Sequence, residues 1–408
     1  MNQVEHKKRW RILMWCTAGL ATAALISGAM TGCIPDMAAP TTTPTRTPSF
    51  AATALPTEPP QPTMTPIGAA LATTDSGPAS TATPEALPEN TNPLTGEVMA
   101  DSSVLERIPV AIKIDNYPPD QVWPQTGLNS ADLVYEHYNE GWFSTRFTAI
   151  YLGQDPEKVG SVRSGRLIDM ELPAMYKAAF ACSGFSNGVL ALMQDSDLYP
   201  DQIVSESLPA TLSPSPFYRD QSRIAPFNMY TNPAQVRAWA DARGFSGRQD
   251  LRGMTFSQEP PEGGSPASYL QIPWTNLNTE WTYDAPTGRY LRWSDGQRHM
   301  DALDNSQLSA ANVVVLYVSQ WDTDIVEDPH WGSLSIRWAL WNQDNPYRPA
   351  VLFRDGQRFD GMWHRPTRPD LLTLTDEDGN PLPFKVGNTF FQVVPLQEDH
   401  WIDIVVQG

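Results

Sequence analysis

The chain has 408 residues, 41% of them hydrophobic and 18% charged, with 38 Pro, 14 Trp and 3 Cys. Its 28 Lys and Arg stand against 46 Asp and Glu, a net charge of −18 that repels a phosphate backbone and excludes nucleic acid as a partner. Three cysteines cannot build a disulfide framework, and 10% aromatic content supports a packed core.

The N-terminus reads as an address. Lys7, Lys8, Arg9 and Arg11 precede an apolar run from Ile12 to Met30, which ends in Met30-Thr31-Gly32-Cys33. Basic, apolar and small-residue regions ahead of a cysteine are the parts of a bacterial lipoprotein signal. Residues 1–32 would be removed and the Cys33 thiol would carry a diacylglycerol. The 19-residue run is also long enough to stay as a transmembrane anchor. Either way the basic cluster stays inside and the rest of the chain lies on the extracytoplasmic face.

Removing residues 1–33 takes away four bases and one acid, leaving 24 against 45 and a net charge of −21. Anionic headgroups repel such a body, so the expected contact with the membrane is the lipid on Cys33. Cys16 leaves with the signal, and Cys182, in Ala179-Phe180-Ala181-Cys182, is expected to be a small buried residue.

Residues 33–91 form the next segment. Between Ile34 and Asn90 there are 12 Pro and 13 Thr in 57 residues, with almost no apolar periodicity. Proline removes donors and holds φ near the polyproline II value, so an extended stalk is expected, at most about 180 Å long at ~3.1 Å per residue. A disordered linker with no selected reach fits the same composition.

The body divides by texture at residues 92–245 and 246–408. In the first part, residues 108–115, 131–138 and 145–152 read as strands. Residues 167–181 and 188–198 read as helices, the first interrupted at Pro173. Asn232, Pro233 and Gly244 mark the cap, first turn and stop of another. The second part reads as mainly β, with strands at 281–293 around an Ala-Pro-Thr-Gly turn, then at 312–318, 334–341, 351–354, 371–375, 389–394 and 401–406. The expected fold class is therefore α+β or α/β, with a mixed first domain and a smaller antiparallel or barrel-like β domain.

Polar residues gather at strand ends in the first part: Asp115, Asn116, Asp132, Glu136, Arg146, Arg163 and Arg166. Alternation puts Asp132 and Glu136 on one face of a strand. Arginines opposite carboxylates form structural ion pairs, or they clamp an anion. For the second reading, Gly160-Ser161-Val162-Arg163-Ser164-Gly165-Arg166 offers backbone amides and two guanidinium forks, and Asp115 or Asp132 could hold Mg²⁺. No P-loop, dinucleotide fingerprint, nucleophile elbow or histidine metal spacing occurs.

Several of these segments resemble one family in order: Asn92-Pro93-Leu94-Thr95-Gly96, Ile114-Asp115-Asn116, Ser130-Ala131-Asp132-Leu133-Val134-Tyr135-Glu136, Thr145-Arg146-Phe147, the segment 160–166, and Ala225-Pro226-Phe227-Asn228-Met229-Tyr230. Together they resemble the YerB-like lipoproteins, a bacterial family with an N-terminal and a smaller C-terminal domain. Within the last motif Asn228 joins the candidate ligand residues. The chain departs from the pattern at Phe227, where the family commonly carries His, and at Pro173. The resemblance implies architecture and location rather than a reaction.

The first domain is more distantly similar to the LytR-CpsA-Psr glycopolymer transferases, which implies arginines and Mg²⁺ on a polyprenyl pyrophosphate; Ser164 stands where an acid should follow Arg163. Three functions are thus open. The first is a tethered lipoprotein that binds a cell-envelope ligand through an Arg/carboxylate pocket. The others are an envelope glycopolymer-processing enzyme and a partner-docking scaffold.

Overall fold

The computed structural model describes residues 87–208, 214–342, 344, 348–396, 400 and 402–408. The signal segment, Cys33 and the stalk up to residue 86 lie outside these. Among the described residues no helix is long and apolar enough to cross a membrane.

Three expected strands form: β1 (Val110–Asp115), β2 (Leu133–Tyr138) and β3 (Thr145–Tyr151), each buried along its whole length. β3 runs antiparallel between the other two. The expected helix over 167–181 breaks into three pieces. A 3₁₀ turn (Leu167–Met170) leads into α1 (Leu172–Tyr176), which Lys177 ends in a left-handed conformation (φ 47°). The remainder is a strand, β4 (Ala179–Cys182), because its small apolar residues are buried beside β1, with which they pair in parallel. β4 in turn carries β5 (Ile203–Ser205). The second helix, α2 (Asn187–Gln194), is capped by Ser186. The third, α3 (Pro233–Asp241), starts where expected: the Asn232 side chain accepts the Gln235 N–H at 2.9 Å and Pro233 fills the first turn.

The C-terminal half supplies a meander of β6 (Tyr269–Trp274), β7 (Leu277–Asp284) and β8 (Arg289–Ser294). It then adds β9 (Asn312–Val318), the hairpin β10 (Gln320–Asp328) and β11 (Ser333–Trp338), and the pair β12 (Pro349–Arg354) and β13 (Gln357–His364). β14 (Thr389–Pro395) and β15 (Val405–Gln407) follow. The meander and β15 form a separate antiparallel sheet.

The other strands do not form a unit of their own. The main sheet runs β13-β12-β9-β14-β2-β3-β1-β4-β5, so strands from both halves share it. β14 lies between β9 and β2, parallel to both, with Phe390 in register with Val313 on one side and Val134 on the other. Its seven residues, TFFQVVP, are all buried, and an apolar run with no solvated face belongs at the centre of a sheet. The described residues accordingly belong to one compact unit. The fold class is α+β, a mixed α/β N-terminal region followed by a strand-rich C-terminal one.

Register assigns the faces. Lys113, Asp115, Tyr135, His137, Arg146 and Thr148 share one, since Lys113 pairs with Thr148, Asp115 with Arg146 and His137 with Arg146. Glu136 and Phe147 share the other. The meander covers the Glu136 face, where Trp281 meets Phe390 edge-on at 5.0 Å. Residues 167–176 and the β10–β11 hairpin cover the first face, where Trp338 meets the His137 ring at 5.5 Å.

Candidate functional site

On the first face, four cations and four carboxylates converge. Asp115, at the end of β1, faces Arg146 across the strand pair at 3.7 Å and Arg163 at 2.8 Å. Arg163 also lies over the Phe227 ring at 5.2 Å. Arg166 binds Glu140 at 2.6 Å and approaches Glu327, from β10, at 3.8 Å. Glu140 lies 3.8 Å from Arg146 as well. Deeper in the same face, Lys113 pairs with Asp169 at 2.8 Å, and Asp169 accepts the Arg166 backbone N–H.

Burial and charge set the protonation of this network. Burial lifts the Asp115 carboxyl above its ordinary range despite Arg146 and Arg163. For Glu140 the outcome is the reverse: burial opposes its charge, but Arg146 and Arg166 together bring it down to about 2. Burial, helped by Arg166, lowers Arg146 to about 10. The outer end of the network is the more open one, because Arg163 is 23% exposed while Arg146 and Arg166 are 5% and 6% exposed. Asp115 Oδ2 and Arg163 Nε are buried and face each other across the 2.8 Å contact, whereas Arg146 Nε, 3.7 Å from Asp115 Oδ1, is buried and makes no hydrogen bond among the described residues.

The sheet separates Glu136 from this cluster. Glu136 is fully buried on the opposite face, where it pairs with Arg292 of β8 at 2.7 Å and accepts hydrogen bonds from Thr145 and Thr279. Asn116 belongs with Glu136, to which it donates at 3.1 Å, and its carbonyl oxygen accepts from Trp123 and Gln125. Arg292 also contacts His299, whose ring burial and the Arg292 charge hold neutral. Both residues therefore join the two sheets together.

Asp132 is elsewhere again. It precedes β2 beside Ile150, at the far end of β3 from Arg146, and binds the Leu152 and Gly153 N–H groups and the Asn92 amide. Asp115 and Asp132, the two alternative Mg²⁺ carboxylates, thus sit at opposite strand ends. Among the described residues no three His, Cys, Asp or Glu side chains are grouped to hold a metal. Asn228 accepts from Arg219 at 3.2 Å, on the far side of Phe227 in sequence from the Arg163 contact. Cys182 is buried, and burial raises its thiol to about 12.

Glu140, Glu327, Asp169 and Lys113 escaped the sequence reading. Lys113 was accessible to it, since Lys113 and Asp115 are two apart on a strand and must share a face. Glu327 was not, because it arrives from a hairpin more than 150 residues away from Arg166 in sequence.

Comparison with known proteins agrees with this architecture. Residues 94–246 match the N-terminal domain, and residues 270–391 the C-terminal domain, of a protein family of unknown function termed DUF3048. The chain is 26% identical over 308 residues to "Putative lipoprotein YerB" of Bacillus subtilis, an alignment covering 74% of this chain and 86% of that protein. The crystal structure of Bacillus subtilis YerB superposes with a TM-score of 0.62 over 77% of this chain and 99% of that one, at 26% identity. With both domain profiles matched in order, and their strands interleaved in one sheet, the chain belongs to the YerB-like DUF3048 family.

Proposed function

We propose that this chain is a lipid-anchored lipoprotein on the extracytoplasmic face of the cell membrane, and that its body binds an anionic ligand of the cell envelope. Binding takes place at the Asp115–Arg146–Arg163 end of the network. The observation that supports this reading is the unused hydrogen-bonding capacity there. Arg146 Nε is buried with no hydrogen-bond partner among the described residues, and it lies beside Arg163, the most exposed arginine of the cluster. A phosphate or carboxylate oxygen would complete the two guanidinium forks. Burial raises the Asp115 carboxyl above its ordinary range, with Arg146 and Arg163 opposing the rise. The relative's name and the sequence ahead of Cys33 support the anchor.

Two measurements test the proposal. Radiolabelled palmitate should enter the wild-type chain in cells and not Cys33→Ala; equal labelling rejects the anchor. Detergent-solubilised full-length protein should bind a short-chain prenyl phosphate more tightly than the matching neutral prenol. Arg163→Ala should weaken phosphate binding about tenfold or more, the loss of one charged hydrogen bond. Equal affinity for phosphate and alcohol, or an unaffected variant, rejects the site.

A further inference from the structure

Beside the network, and separate from Arg163, lies a concave cleft of about 420 Å³. Leu167, Met170 and Glu171 form one wall, and Trp321, Trp338 and Trp341 the other. The elements explain the placement. Trp321 and Trp338 stand on the paired strands β10 and β11, which fold over the turn that carries Leu167 and Met170. Glu171 is fixed at the base: it accepts hydrogen bonds from the Trp341 indole and from Arg365 at 2.9 Å.

Three properties of this cleft bear on what it takes. First, its volume falls within the range of about 300–1,000 Å³ usual for small-molecule sites, and three of its eight lining residues are tryptophans. Trp321 is 45% exposed, a large apolar ring face left to water at the mouth. Second, Trp338 is 5% exposed and its indole N–H, which is buried, has no hydrogen-bond partner among the described residues. Such a donor calls for an acceptor, and none is found among the described residues. Third, the charges at the cleft offset one another: Glu171 is paired with Arg365 at 2.9 Å and Arg368 at 3.7 Å, and Arg337 and Asp344 line it with opposite signs, so no net charge selects an ion.

A pyranose ring answers all three. Its C–H faces pack on indole rings, its hydroxyls accept from an indole N–H and donate to carboxylates, and it carries no charge. We infer that the cleft is a saccharide-binding site for a neutral, pyranose-based glycan. The chemistry differs from that of the arginine network, and neither site depends on the other.

The test is calorimetric titration of full-length protein, solubilised in a detergent without a sugar headgroup, with chitotetraose, cellotetraose and maltotetraose as probes. At least one should bind saturably. Trp321→Ala, at a half-exposed position that the fold does not need, should weaken that binding about tenfold. Trp338→Phe keeps an aromatic ring and removes the N–H, and should weaken it about threefold or more, with circular dichroism reporting an intact fold. No binding of any probe at millimolar concentration overturns the inference. So does either variant binding as tightly as wild type.

Discussion

Lys113 Nζ and Asp169 Oδ2 lie 2.8 Å apart with neither side chain reaching solvent. His137 Nε2 at 2.7 Å and Thr148 Oγ1 at 3.0 Å complete the surroundings of the ammonium. Burial pulls Lys113 down to about 8 and Asp169 resists the fall, so the lysine is charged at neutral pH. Removing the carboxylate leaves a buried cation with no counter-charge of its own. Asp169→Ala should therefore cost about 3–5 kcal/mol in urea denaturation at pH 7. Lys113→Met combined with Asp169→Leu should recover most of it. A single variant within about 1 kcal/mol of wild type would show that water reaches the pair.

Glu140 makes the network sensitive to acid. Its carboxyl sits at about 2 in the folded chain against an ordinary 4.5. Between those values the unfolded chain holds a proton that the folded chain does not. The associated stability is present above pH 4.5 and is lost as pH falls toward 2, on the order of 3 kcal/mol in all. The stability gap between wild type and Glu140→Gln, measured by denaturation from pH 7 to pH 2, should close over that window. A gap that stays constant with pH contradicts the assignment.

The Arg292–Glu136 pair links the main sheet to the meander with both side chains fully buried. A double-mutant cycle of Arg292→Met and Glu136→Gln should give a coupling energy of at least about 1 kcal/mol, because the residues share Thr279 as well as their charge contact. Additive single effects would mean that this ion pair adds nothing to the joint between the two sheets.

Cys182 should behave as an inert thiol. Its sulfur is buried and its thiol is raised to about 12, so almost no thiolate forms at pH 8. Iodoacetamide should leave the peptide carrying Cys182 unmodified in native protein and label it fully in guanidinium, as read by mass spectrometry. Rapid native labelling would place Cys182 at an opening in the sheet.

Strand by strand, legibility followed locality. The runs at β1, β2, β3 and β9 carry enough buried apolar residues to be read alone, and α3 carries its own cap and stop. Residues 179–181 fall within the expected helix over 167–181, and parallel pairing with β1 makes them a strand instead. The carboxylate–arginine cluster was legible for Asp115, Arg146, Arg163 and Arg166, which lie within about fifty residues of one another. Glu136 could not be separated from them in advance: which face a strand residue occupies relative to its neighbours depends on register, and register is tertiary. The cleft with its three indoles was invisible for the same reason, since its two walls come from residues 167–171 and 321–344.

The central position of β14 has a consequence for how the protein is made. Its residues, 389–395, lie at the heart of the main sheet although they come about 250 residues after β2, their neighbour there. Until they arrive, β2 and β9 each expose an unpaired edge, and the two halves of the main sheet have no strand between them. The main sheet therefore cannot close until residues 389–395 have been made, and pairings of very long sequence separation close last. A chain stopped before Thr389 lacks far more than its tail: it has a slot through the middle of its core.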